Sequence, residues 1–341
     1  MVAWLRAAAL VFASVACVGC GVFQDDEPSF EGKISFLRVS ANDSGTVGIF
    51  LTTASDGERQ VGKPVWSDAS WSPDGERLAY STPEWNIVIA SRSRPVEQSV
   101  HANCYGPVWS PDSALIACEY TEPHTIYTVN LRDGSVRTLT PNCCLRPAWS
   151  PDGRQIAYFD FGPSADGYFQ GGPQGLSVMN ADGSGRHRLS PRGTLDRDAP
   201  AWSPDGRTIA FIDGDDIWTI NTDGSRARRI FNGEDRETKH PTWSPDGRRL
   251  AFTHGDGDLD VYVINRDGTQ LTRITDNKGV QDSDPAWSPD GTGLAFATNR
   301  DGNYEIYIAN SDGTDPERLT DNERDDRDPT WFPGAPEPEA S

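Results

Sequence analysis

From Ile34 onward the chain alternates apolar and polar residues with a period of two. Turn signals interrupt the alternation every eight to twelve residues. The stretch that begins at Pro241 is representative. Pro241-Thr242-Trp243-Ser244 reads as a strand and Pro245-Asp246-Gly247 as a turn, followed by strands over 249–253, 259–265 and 271–274. Proline presets φ at the second position of such a turn, and glycine accepts the left-handed geometry at the fourth. The same grammar recurs over 176–189, 217–230 and 306–319. A helical reading fails, because no stretch keeps a 3.6-residue period.

The alternation is organised by a repeat. Trp-Ser-Pro-Asp-Gly begins at Trp71, Trp149, Trp202, Trp243 and Trp287, with a near-copy (WSPDS) at Trp109 and a degenerate one (WFPG) at Trp331. Successive Trp residues lie 38, 40, 53, 41, 44 and 44 positions apart, the length of one four-stranded propeller blade. One blade cannot bury both faces, so the units must stack in a closed ring, with each Trp packed between blades. The last unit has a first strand at Trp331 and only a Pro-rich tail after it. The N-terminal stretch, in contrast, has strands over 34–39 and 46–51 and near Val61 without a preceding Trp. Joined, the two ends make one blade. The fold predicted is an all-β propeller of seven four-stranded blades, or six if the first unit, with its extra Trp66, is irregular. Its domain spans 33–332, after a linker over 20–32 and before a tail over 333–341.

The recurring pattern PxWSPDGxxIAF…IYxxNxDGxxxxLT resembles the propeller repeat of TolB, the periplasmic component of the Tol system, and repeats in many bacterial secreted proteins. The resemblance covers roughly residues 33–332. It is specific for the fold and implies an envelope setting, while function resides in sites that vary on a shared fold.

Residues 1–19 read as an export signal. Arg6 precedes an apolar run over 7–18 that is too short to span a bilayer. The run ends at Gly19-Cys20-Gly21, which looks like a bacterial lipoprotein signal with Cys20 as the lipidated residue; Cys17 competes, and an ordinary cleaved signal is the alternative. The protein is therefore expected to be exported and lipid-anchored on the periplasmic or extracellular side of a membrane. The formal net charge of −20 argues against nucleic acid as a partner, because phosphate recognition needs clustered Lys and Arg.

Propeller ligands usually sit at the channel mouth, which in this arrangement is formed by the residues just before each Trp. The position three before Trp reads Asp68, Gly106, Arg146, Ala199, His240, Asp284 and Asp328. A uniform column would signal architecture, whereas mixed Asp, Arg and His point to polar recognition. Asp198, Asp282 and Asp326 add acid nearby. The resulting negative mouth suits a cationic segment or a metal ion. The unit from Trp149 carries an insertion over 160–175, on the same face, whose Phe161, Tyr168 and Phe169 are candidate partner contacts. The Trp-Ser-Pro-Asp-Gly turns fall on the opposite face and receive no chemistry.

Outside the signal four cysteines remain, an even count that favours disulfides in an exported protein. Cys104 and Cys144 both stand five before a Trp in adjacent units, so a Cys104–Cys144 bridge is expected, with Cys118 and Cys143 left open. No C-x-x-C pair supports zinc. His101, His124, His187, His240 and His254 are scattered. Asp256-Gly257-Asp258-Leu259-Asp260 lacks calcium-loop spacing. There is no G-x-S-x-G elbow and no phosphate-binding glycine motif. The reading is a non-catalytic envelope scaffold without a cofactor, which recognises an envelope protein segment or another polar ligand. The alternative is a metal-dependent lyase or hydrolase on acidic sugars, implied by uronic-acid lyases that resemble these repeats and use a His-bound metal.

Overall fold

The computed structural model describes residues 34–39, 46–52, 58–62, 69–82, 85–91, 97–100, 104–120, 124–140, 143–162, 175–190 and 198–331. They form seven four-stranded antiparallel sheets. Blades 1 to 6 span 70–100, 105–138, 144–188, 201–231, 237–273 and 282–318, each built from four consecutive strands. Blade 7 is composite: Asp325–Trp331 is its innermost strand, followed by Ile34–Val39, Thr46–Thr52 and Arg59–Gly62. The ring is thus seven-bladed and closed by pairing its two ends, with Ile34 opposite Trp331 and Arg38 opposite Asp326. No helix occurs among the described residues.

The tryptophans do more than fill space. Each indole Nε1–H donates across a blade boundary to the residue one before the preceding Trp. The acceptors are the carbonyls of Ser70, Val108, Ala148, Ala201, Thr242 and Ala286, for Trp109, Trp149, Trp202, Trp243, Trp287 and Trp331 respectively. Trp71 completes the circuit through the Ser35 hydroxyl of blade 7, at 2.8 Å. A buried indole needs a partner for its one donor, and here that donor fixes the spacing of neighbouring blades.

The turns after Trp71, Trp109, Trp149, Trp202, Trp243 and Trp287 repeat a second device. In the turn at Trp243, the Ser244 hydroxyl donates to Asp246 at 2.6 Å and accepts the Arg249 N–H, while Asp246 accepts the Arg248 N–H. Held first by the Ser hydroxyl, Asp112, Asp152 and Asp246 titrate below the ordinary carboxylate range. Gly247 takes φ +67° and stands over Pro204 of the preceding turn. The near-copy puts Ser113 in the same left-handed state, at φ +58°. These side chains are consumed by turn geometry.

Candidate functional site

The innermost strands enter the ring at the mouth, and there the ladder is interrupted. Register shifts fall between Tyr105 and Val108, Leu145 and Ala148, Lys239 and Thr242, Ser283 and Ala286, and Arg327 and Thr330. Within each bulge sits the residue three before Trp, in the left-handed region: Gly106 at φ +58°, Arg146 at +58°, His240 at +54°, Asp284 at +57° and Asp328 at +51°. A Cβ added at Gly106 would meet nothing within 4 Å, so this position faces open space. Glycine meets the backbone demand at no steric cost, and a non-glycine residue pays about 1 kcal/mol. Arg, His and Asp are therefore held at four blades where glycine would serve the backbone better.

The backbone of three bulges is tied to the blade before it. The Arg146 N–H donates to the buried Glu119 carboxylate at 2.6 Å, that of His240 to Asp198 at 2.5 Å, and that of Asp284 to the Thr253 hydroxyl at 3.2 Å. The side chains then converge. His240 Nδ1 lies 2.7 Å from Asp284 Oδ1 and its Nε2 lies 3.6 Å from Asp198, while 42% of its side-chain surface stays open. Burial opposes charge on the imidazole. The hydrogen bond and field of Asp284, with the fields of Asp198 and Asp328, outweigh it and raise the His240 pKa to about 9. Asp284 is correspondingly held below the ordinary range against the cost of burial. His240 and Asp284, with Asp328, line a cavity of about 210 Å³ whose other walls include Phe36, Leu37 and Ile49. An imidazolium among three carboxylates leaves this sector with a net negative charge over an apolar floor.

The opposite sector differs. The Arg146 guanidinium stands 6.0 Å from the Tyr105 ring centroid, and Tyr105 packs against Trp85 at 6.1 Å. At the acidic side, the Arg327 guanidinium lies 3.6 Å over Tyr304. The sequence reading missed these aromatics. The available signal was their place: Tyr105 adjoins the column, and Trp85 and Tyr304 lie in loops between second and third strands, on the mouth face.

Of the expected site residues, Arg146, His240, Asp284 and Asp328 occupy equivalent bulges at the mouth, and Asp198 joins them. Asp68, Tyr168, Phe169, Cys20 and His101 lie outside the described residues. Asp282 and Asp326 are not mouth acids. Both are fully buried, Asp282 bound by Arg300 at 3.2 Å and Asp326 by Arg38 through two bonds of 2.7 and 2.8 Å. They stand five before Trp, and the bulge separates that buried position from the channel-facing one. Phe161, half-buried, packs against the core that includes Phe159 and Leu176.

The expected Cys104–Cys144 bridge is replaced by Cys104–Cys118 and Cys143–Cys144. The position five before Trp turns toward the second strand of its own blade, as Thr238 does toward His254 and Asp326 toward Arg38. Cys104 accordingly meets Cys118, at a Cα separation of 5.6 Å. His254 is buried between Phe231 and Tyr262, and burial first holds its pKa below the ordinary value. His187 is exposed on an outermost strand. In the acidic stretch, Asp258 accepts the Gly279 and Val280 N–H groups and Asp260 binds Arg273 and Thr275, so both serve local structure. On the turn face, a groove of about 620 Å³ is lined by Arg226, Arg228, Arg248 and Arg266 beside Asp246 and Asp267.

The family model described as the TolB beta propeller domain matches residues 25–235 and 199–336. The chain belongs to the TolB beta propeller domain family. Among solved structures, TolB from Acinetobacter baumannii is 18% identical with a TM-score of 0.54, over 89% of this chain and 67% of that one. An oligogalacturonate lyase from Vibrio parahaemolyticus is 15% identical with a TM-score of 0.57, over 77% and 83%. An oligogalacturonate lyase in complex with manganese is 15% identical with a TM-score of 0.58, over 85% and 86%. At these identities the likeness is one of fold. No curated protein matches the chain in sequence. In this TolB beta propeller the His240 Nδ1 is taken by Asp284 at 2.7 Å, and among the described residues no cluster of three possible metal ligands includes a histidine.

Proposed function

We propose that this propeller is a non-catalytic binding scaffold whose channel mouth recognises a cationic segment of an envelope protein. The observation that carries the reading is the charged, left-handed column. Arg146, His240, Asp284 and Asp328 each stand where Gly106 satisfies the same backbone in blade 2. Strain of this kind persists where a side chain is needed. The cavity at His240, Asp284 and Asp328 pairs acidic groups with an apolar floor of Phe36, Leu37 and Ile49, which suits a Lys or Arg side chain that buries its aliphatic stem and presents its charge to carboxylates. Among the described residues no cluster of possible metal ligands includes a histidine, which favours binding over metal-dependent lyase chemistry.

Residues 1–19 act in this reading as an export signal and Cys20 as the lipid anchor, holding the propeller over 33–332 at a membrane surface. Immobilised protein should retain a partner from envelope extracts that Asp284→Asn and Asp328→Asn together release, with raised salt doing the same. Retention of the same proteins by the folded double variant would defeat the proposal. For the anchor, Cys20→Ser should move the protein from the membrane to the soluble fraction; unchanged partitioning would exclude Cys20.

A further inference from the structure

Cys143 and Cys144 are adjacent in sequence, and neighbouring residues of an extended strand point to opposite faces. Here the backbone is bent to bring them together. The N–H groups of both residues donate to one carbonyl, that of His124, at 2.8 and 2.9 Å, whereas successive amides of an extended chain point apart. The Cys143 carbonyl is fixed from the other side by the Phe161 N–H at 2.7 Å. Cys144 opens the first strand of blade 3 opposite Asp160, the last residue of the second strand. The two sulfurs and one Asp160 carboxylate oxygen all lie within 4.8 Å of one another. Cys144 is buried, while Cys143 and Asp160 are half-buried at the mouth-face end of the blade.

The bond between Cys143 and Cys144 closes the smallest loop a disulfide can. A crosslink stabilises mainly by restricting the unfolded chain, and more for longer loops. By that measure Cys104–Cys118, which spans 14 residues, supports the fold, and Cys143–Cys144 adds little. We propose that Cys143, Cys144 and Asp160 form a two-state site: a disulfide when oxidised, and when reduced a two-sulfur, one-oxygen chelate for a thiophilic divalent cation. An external dithiol would reduce it by exchange. Two electrons and two protons pass to Cys143 and Cys144 as the dithiol closes to its own disulfide. Binding of the cation by both thiolates then releases two protons. Three protein donors leave a coordination position for water or a ligand. Thiolates select soft metals over calcium or magnesium. The absence of a C-x-x-C motif does not weigh against the site, because the bent backbone supplies the convergence that such a spacing normally provides.

The test uses the full-length protein and cadmium ion as probe. Mild dithiol treatment under native conditions, followed by alkylation and peptide mapping, should label Cys143 and Cys144 and leave Cys104–Cys118 intact. The reduced protein should bind one cadmium per chain, with an ultraviolet thiolate-to-metal band. Cys143→Ser should abolish the band, and Asp160→Asn should weaken binding by about tenfold or more. Preferential labelling of Cys104 and Cys118, no cadmium band in the reduced wild type, or equal binding by Cys143→Ser would each overturn the proposal. Because the mapping is done on the wild type, a variant that fails to fold does not remove the test. Loss of the envelope partner in the mouth variants is a separate readout.

Discussion

Ring closure depends on Asp326, and Asp326→Asn measures how much. Its carboxylate is fully buried and accepts two bonds from Arg38, at 2.7 and 2.8 Å, which join the last strand to the first. Arg38 is 7% exposed, stacks 4.3 Å from the Phe50 ring centroid and has one further acidic partner, Glu58, at 2.7 Å. Breaking a buried pair costs about 3–5 kcal/mol, because one charge is left uncompensated. Glu58 softens that here, to about 2–3 kcal/mol. Unfolding entropy is about 2.1 cal/mol/K per residue, so a propeller of about 300 residues shifts its Tm by roughly 1.6 °C per kcal/mol. Asp326→Asn should lower the Tm by about 3–5 °C in a reversible thermal melt. Hydrogen exchange should accelerate in 34–39 and 325–331 ahead of the other blades. Arg38→Met combined with Asp326→Leu should recover much of the loss, since neither member of the buried pair is left without its partner. A Tm within about 1 °C of wild type for Asp326→Asn, or a double variant as unstable as the sum of the singles, would refute the reasoning.

Three further outcomes follow from the mouth and from the Cys104–Cys118 bridge. The His240 imidazole should titrate near pH 9 in a proton-resolved NMR experiment; a midpoint at or below the ordinary 6.5 would mean that Asp284 and Asp198 do not hold it. Because the folded-state pKa is raised, the stability it lends is complete below about pH 6.5 and declines as pH rises through 9, a slope that His240→Gln should flatten in denaturant titrations. Replacing Cys104 and Cys118 by Ser should cost about 3 kcal/mol, as expected for cysteines separated by 14 positions, and an unchanged denaturation midpoint would show that the bridge does not constrain the unfolded chain.

The blade count was legible because the Trp phase is a local signal: Trp331 could be matched to the strands at Ile34 without knowing any contact. The column three before Trp was legible as a position, and the structure adds why it matters, since only Gly106 hints in the sequence that its backbone is left-handed. Period-two reasoning failed at the bulge. One extra residue there changes which side chains face the channel, so Asp282 and Asp326 were counted with Asp284 and Asp328 although the first pair is buried. The same displacement hid the cysteine pairing. Equivalence of Cys104 and Cys144 across blades implied proximity, whereas each turns into its own blade. The convergence of Cys143 with Cys144 depends on a bend of their own backbone, which turns both amides onto the His124 carbonyl and which no residue type announces.

The claim that the mouth charges serve recognition and not architecture is tested most directly by returning the column to glycine. Arg146→Gly, and His240→Gly combined with Asp284→Gly so that neither partner is left alone, should be compared with wild type for thermal stability and for capture of the envelope partner. The account predicts that Arg146→Gly melts no lower than wild type, since left-handed strain of about 1 kcal/mol is relieved, and that the double variant gives up the stability of the His240–Asp284 pair and loses the partner. Variants that melt lower yet retain the same partner would contradict it.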